Sequence, residues 1–347
     1  MFCAGSSVFL SCNNINTEKI EGISDYYIDG SKNNQEMLKN LFNLLAKETG
    51  PGEEQFSVIR EIAAEYIRLK EYGKLINFLN FWTDTHPDDA YNAYYLLLIA
   101  YGYIQQDAHA VAALYFNRII KNYPDLTIQE ESIHLACLSQ LINLVDDPEQ
   151  RVWYYEELIS RFSDKIDLGV AYFQLAQAYE RIGDWNRAIK TYANFLPYNG
   201  TIVSGFADAY TYAKQIVDFY NSPKDWTFEN LNALITAIEN ALDSGSSSRL
   251  WSYRAKVNFF ARSWSQEAAD DAGMAEFSIS EFMRDTRISY ASELDAASNA
   301  NEAYLRTWGW AKGISTWYLY FRKIYFPLDP DIHGRWEWAG VYYGEKF

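Results

Sequence analysis

From residue 33 to about residue 325 the chain is written in helical period. Apolar side chains recur at spacings of three and four, in runs of roughly 15 residues closed by short polar turns. In NNQEMLKNLFNLLAKE (33–48) that spacing places Met37, Leu38, Leu41, Leu44 and Leu45 on one stripe. TGPGEE then stops the run, with Gly50 and Pro51 as terminators. The same rhythm continues through FADAYTYAKQIVDFY (206–220) and TFENLNALITAIENALDSG (227–245), which read as a helix pair. Residues 250–282 read as a further pair, with Ala255 and Ala268 at its close contacts, and the aromatic stretch 292–326 as one or two more helices. Only the tail, DIHGRWEWAGVYYGEKF, leaves helical period. Its alternation predicts a short strand or an extended segment laid across the last helices as a cap.

Helices of equal length at even spacing call for a search for internal repetition. One segment offers Tyr172, Leu175, Ala176 and Tyr179, then Ala188, Tyr192 and Phe195, with Gly183 in the turn between. Another offers Leu96, Ile99, Ala100, Tyr103, Ala112, Phe116, Ile119 and Pro124, and an earlier one Ile62, Ala63, Tyr66, Leu75, Leu79, Trp82 and Pro87. A weaker copy has Leu138, Ser139, Ile142, Tyr155 and Leu158. Matching ends fall at Pro87, Pro124 and Ser163, about 37 and 39 residues apart. Alanines at these places let paired helices approach closely, aromatics fill the wedge between pairs, and Pro ends the second helix.

Over residues 53–200 this pattern resembles the tetratricopeptide repeat (TPR) family. The resemblance implies an all-α fold, a TPR-type α-solenoid of antiparallel helix pairs with a short non-helical C-terminal tail. The corresponding organisation is a truncated signal or lipobox-like tether (1–32), an N-terminal helix with about four repeats (33–200), a degenerate TPR-like helical region (201–326) and an extended tail (327–347). It also implies a concave wall made by first helices. Carried over place by place, that wall holds Arg60 and Arg68, then Tyr94, Leu97, Tyr101 and Gln105, then Gln140 and Asn143, then Phe173, Gln177 and Arg181. Such a wall suits an extended peptide or a partner helix.

Composition narrows the partner. The formal net charge is −16, from 30 Lys plus Arg against 46 Asp plus Glu, and the basic residues are scattered singly. That field repels a phosphate backbone, so nucleic acid is excluded as a partner. No P-loop, dinucleotide fingerprint, HExxH or nucleophile elbow is present, and the four histidines lie far apart in sequence, so neither an enzyme nor a cofactor is expected. Asp329, Asp331 and His333 alternate in LDPDIHG, a spacing able to ligate a cation but one that ordinarily forms a turn; no metal is expected. Cys137 sits in an apolar helical run as a small core residue.

MFCAGSSVFLSC is uncharged, and its VFLSC resembles a lipobox with Cys12 as the acylated residue. Endings such as YFNRIIKNYPD resemble TPR lipoproteins of the outer-membrane β-barrel assembly machinery, the BamD type. The resulting expectation is a non-catalytic scaffold of the bacterial periplasm, lipid-anchored through Cys12, with a cytoplasmic location as the alternative. A second reading has the aromatic C-terminal half enclose a small hydrophobic molecule for a transporter, in a helical wall around Trp308, Trp310, Trp317 and Tyr320. A third places catalysis around Asp329, His333 and Glu337.

Overall fold

Three of the predicted hairpins close through the same backbone device. In a computed structural model describing residues 26–28, 30–47, 50, 52–264, 278–284, 286–310 and 316–346, Lys70, Asp107 and Gly183 take positive φ (58°, 58° and 79°) at matching places. The amide of the next residue then reaches back five positions: Glu71 to the carbonyl of Tyr66, Ala108 to Tyr103, Asp184 to Tyr179. This is the bond that ties off a helix whose chain turns sharply, and it falls each time on the repeat's tyrosine.

The chain divides into two compact units, Met1–Phe162 and Ser163–Phe347. In the first, α1 (Lys32–Lys47) precedes three hairpins: α2 (Glu53–Arg68) with α3 (Tyr72–Thr85), α4 (Asn92–Gln105) with α5 (His109–Asn122), and α6 (Ile133–Leu144) with α7 (Pro148–Phe162). A two-stranded ribbon, β1 (Thr127–Ile128) and β2 (Glu131–Ser132), lies between α5 and α6. The small residues do what their places require: Ala63, Ala100 and Ala112 are fully buried where helices meet. α1 turns a narrower face inward than expected, burying Leu38 and Phe42 and leaving Met37 and Leu44 exposed.

The second unit begins with α8 (Leu168–Arg181) and α9 (Trp185–Phe195), then α10 (Ala209–Asn221), α11 (Leu231–Asp243) and the short α12 (Ser247–Ser252). α8, α9 and α10 share a core of Phe173, Ala176, Tyr192, Phe195, Ala213 and Val217. The predicted pairing of 206–220 with 227–245 does not organise this unit, because α11 and α12 pack on a second core, against a sheet.

That sheet overturns the all-α expectation. Its five strands run in the order β3–β7–β6–β5–β4, with β3 (Phe260–Ser263), β4 (Ser289–Tyr290), β5 (Glu302–Trp308), β6 (Thr316–Lys323) and β7 (Trp336–Tyr343). β3 and β7 are parallel; the other pairs are antiparallel. The stretch 292–326 is therefore two strands, not helices. Ala303, Leu305 and Thr307, and Trp317, Leu319 and Phe321, alternate onto the core side. The described residues of 250–282 do not form a helix pair either: β3 lies where the first helix was expected to run. Ala255 is buried, but in extended chain whose amide donates to the Trp338 carbonyl, while Ala268 lies outside the described residues. The tail, expected as a cap, supplies β7, the strand held between β3 and β6.

Candidate functional site

The first-helix face of the first unit gathers most of the residues expected to bind. Phe56 of α2 stacks on Tyr91 with ring centroids 4.0 Å apart and meets Tyr94 edge-on at 5.3 Å. Arg60 lies 5.8 Å over the Phe56 ring and 3.7 Å from Glu61. Burial raises the Tyr94 hydroxyl pKa and the Glu61 carboxylate adds to that, while Arg60 pulls it down, so Arg60 and Tyr94 are electrostatic neighbours. Farther along α4, Tyr101 packs against Tyr72 at 6.2 Å, and the Tyr72 hydroxyl donates to Gln105 Oε1. Tyr94 and Leu97 are half-buried; Tyr101 and Gln105 are exposed. α6 lies against α4 and presents Gln140 and Asn143 to solvent. The Asn143 amide also donates back to the Ser139 carbonyl.

Arg68 does not join them. Its guanidinium forms a two-point pair with Glu65 at 2.5 and 2.8 Å and reaches Asn34 of α1, so it braces α1 on α2. The Arg68 partnership holds the Glu65 carboxyl below its usual range. In the second unit, Gln177 is half-buried and Arg181 exposed on α8, whereas Phe173 is fully buried among Tyr192, Phe195 and Phe206. Phe173 is a core residue and presents nothing to a partner. Cys12 lies outside the described residues.

The remaining polar residues are framework. His134 is buried; its Nε2–H donates to the Tyr123 carbonyl, which leaves Nδ1 to accept from Arg161 at 2.8 Å. Asp125 accepts from the Ser132 hydroxyl and the His134 amide, tying the ribbon to α6. Burial lowers the His134 pKa, with Asp125 opposing. Asp329 caps a turn through the Asp331 amide, and His333 Nδ1 accepts from the Phe326 amide, so this trio folds a loop. Among the described residues no group of three His, Cys, Asp or Glu gathers to hold a metal.

Glu337, which one reading of the sequence placed in a catalytic site with Asp329 and His333, is 2% exposed and held at 2.7 Å by Trp226 Nε1 and 2.8 Å by Arg322 Nε, a structural pairing. Trp310 and Trp317 stack at 4.7 Å among buried core residues, and Trp308 points out of that core, 41% exposed. The expected helical wall around them is sheet.

The opposite side of the sheet carries a cluster that helical reading concealed. Trp264 stacks on Tyr342 at 4.1 Å and meets Tyr304 and Tyr318. Arg262 lies over Phe260 and Tyr342, and Lys346 over Trp264 and Tyr304. Rings and cations cover one another here, so the cluster is a half-buried satellite of the core. Read at period two, β5 would have pointed to it.

The tetratricopeptide repeat family matches at residues 94–126 and 170–196. These segments cover the α4–α5 and α8–α9 hairpins. No curated protein and no solved structure matches the chain. Residues 94–126 and 170–196 are therefore similar to tetratricopeptide repeats, an architecture that serves protein–protein interaction and is ordinarily non-catalytic.

Proposed function

We propose that this protein is a non-catalytic scaffold whose first unit holds a peptide or partner protein on the α4–α6 face. The observation that carries the reading is the open row Tyr94, Leu97, Tyr101 and Gln105, set on rigid hairpins and flanked by Arg60, Gln140 and Asn143. A rigid wall of aromatic and amide side chains binds extended chain at low entropic cost. The test is a photo-crosslinking amino acid placed at position 97 or 101 in the full chain in its own cells. Position 114 on α5, where Leu114 is 69% exposed, serves as control. Adducts with one partner at 97 and 101 but not at 114 support the reading; equal labelling at 114, or none at 97 and 101, removes it.

The same proposal sets the scaffold in the bacterial cell envelope, tethered through Cys12. Its support is the uncharged MFCAGSSVFLSC ahead of a polar stretch. Metabolic labelling with an alkyne fatty acid tests this in the full-length gene product. Incorporation lost on Cys12→Ser supports the anchor, and no incorporation removes it.

A further inference from the structure

Charge is distributed unevenly over the helices of the first unit. α7 carries Glu149, Arg151, Glu156, Glu157 and Arg161, and α2 carries Glu53, Glu54, Arg60, Glu61, Glu65 and Arg68. α4 (NAYYLLLIAYGYIQ) and α6 (IHLACLSQLINL) carry no Asp, Glu, Lys or Arg, in a chain that is 22% charged. A helix apolar on every side belongs in an interior. These two nonetheless leave Leu97, Leu98, Tyr101 and Ile104 of α4, and Leu135 and Ile142 of α6, half-buried or exposed. Beside them stand Arg60 of α2, 3.7 Å from Glu61, and Arg151 of α7, whose guanidinium donates to the Ile142 carbonyl and lies 3.9 Å from Asp146. What the face does offer is amides: Gln105, Gln140 and Asn143, each able to donate and accept.

We propose that the α4–α6 face takes an uncharged, apolar polypeptide segment, held by side-chain burial and amide hydrogen bonds rather than ion pairs. This rests on the peptide-holding reading above and names the partner's chemistry. A charged segment laid here gives up hydration and finds no counter-charge on either helix, so the surface disfavours it relative to a neutral one. A second copy of this chain would bring another −16 charges toward the first, which opposes self-association.

The test is calorimetric titration of the full chain with three synthetic peptides of equal length. One is built from Leu, Tyr, Gln and Ser; the others carry Asp or Lys at every third place. The neutral peptide should bind at least about tenfold tighter than either charged one. Its affinity should change less than about twofold between about 0.05 and about 1 M NaCl. Leu97→Asp and Tyr101→Asp should each weaken it about tenfold or more, with far-UV circular dichroism unchanged, and Leu114→Asp should leave it alone. Preference for a charged peptide, a steep fall with salt, no binding by any peptide, or equal sensitivity at position 114 overturns the proposal. A charged preference alone leaves the peptide-holding reading intact, because cross-links at 97 and 101 do not depend on the partner's charge.

Discussion

Two carboxylates in the second unit, Glu337 buried and Glu180 half-buried, show how identical chemistry takes different roles from its surroundings. Glu337 has a cation and an indole N–H, so its charge is compensated where it sits. Arg322→Ala leaves that charge with Trp226 alone and should cost about 2–3 kcal/mol in denaturant unfolding. A loss under about 0.5 kcal/mol would show that the pair contributes nothing. Glu180 has no cation partner among its strongest interactions; it accepts from the hydroxyls of Tyr192 (2.9 Å) and Tyr212 (3.1 Å). Burial raises its pKa, and the two hydroxyl bonds only partly oppose this. A raised folded pKa means the fold prefers the protonated acid: the benefit is complete below the unfolded value and fades as pH climbs through the folded one. Glu180→Gln keeps an oxygen for the tyrosines and cannot ionise. Its stability relative to wild type should therefore rise as pH goes from about 4 to 7, tracked by melting temperature. A pH-independent difference would mean that Glu180 is not shifted.

At the scale of elements, two glycines hold close approaches that no other residue fits. A Cβ on Gly169 at the start of α8 would stand 2.1 Å from Thr201 Oγ1 and 2.9 Å from Tyr198 Cβ. A Cβ on Gly340 would meet the Phe260 ring at 2.7 Å, where parallel β3 pairs with β7. Gly340→Ala should push Phe260 aside and loosen β3, seen as faster amide exchange at Ala261 and Arg262 while β5–β6 keep their protection. Unchanged exchange would place the strain elsewhere. The hairpins from α2 to α9 were legible because period 3.6, buried alanines and turn residues all agreed, as Ala63, Ala100 and Ala176 show. The sheet was not, because TWYLYFRK is apolar on nearly every residue, and a strand covered on both sides loses its alternation. β5 did alternate in burial, from Ala303 in to Tyr304 out to Leu305 in, and its aromatic and β-branched content was a strand signal. On the proposed binding face, repeat position left Tyr94 half-buried and Tyr101 and Gln105 exposed. It misplaced Phe173, over which Phe206 and Tyr212, from outside the hairpin, close together with Tyr192 and Phe195.

For the molecule as a whole, the last strand in sequence is central in the second unit. β7 pairs on one edge with β3 and on the other with β6, and Trp338 and Val341 are fully buried. Its backbone also ties in chain from far upstream: Phe228 and Trp336 exchange two bonds, and the Ala255 amide donates to the Trp338 carbonyl. Burying a tryptophan in a packed core is worth roughly 3–5 kcal/mol against alanine, and β7 supplies two. Removing residues 336–346 should therefore unfold the sheet outright, removing its share of the near-ultraviolet tryptophan signal and its β contribution to circular dichroism. The first unit keeps a core of its own, so amide protection in α4 and α5 should survive the truncation. A tail serving as a cap, as its place in the sequence implied, would instead leave the β signal intact. That outcome would move the structural centre of this unit away from β7.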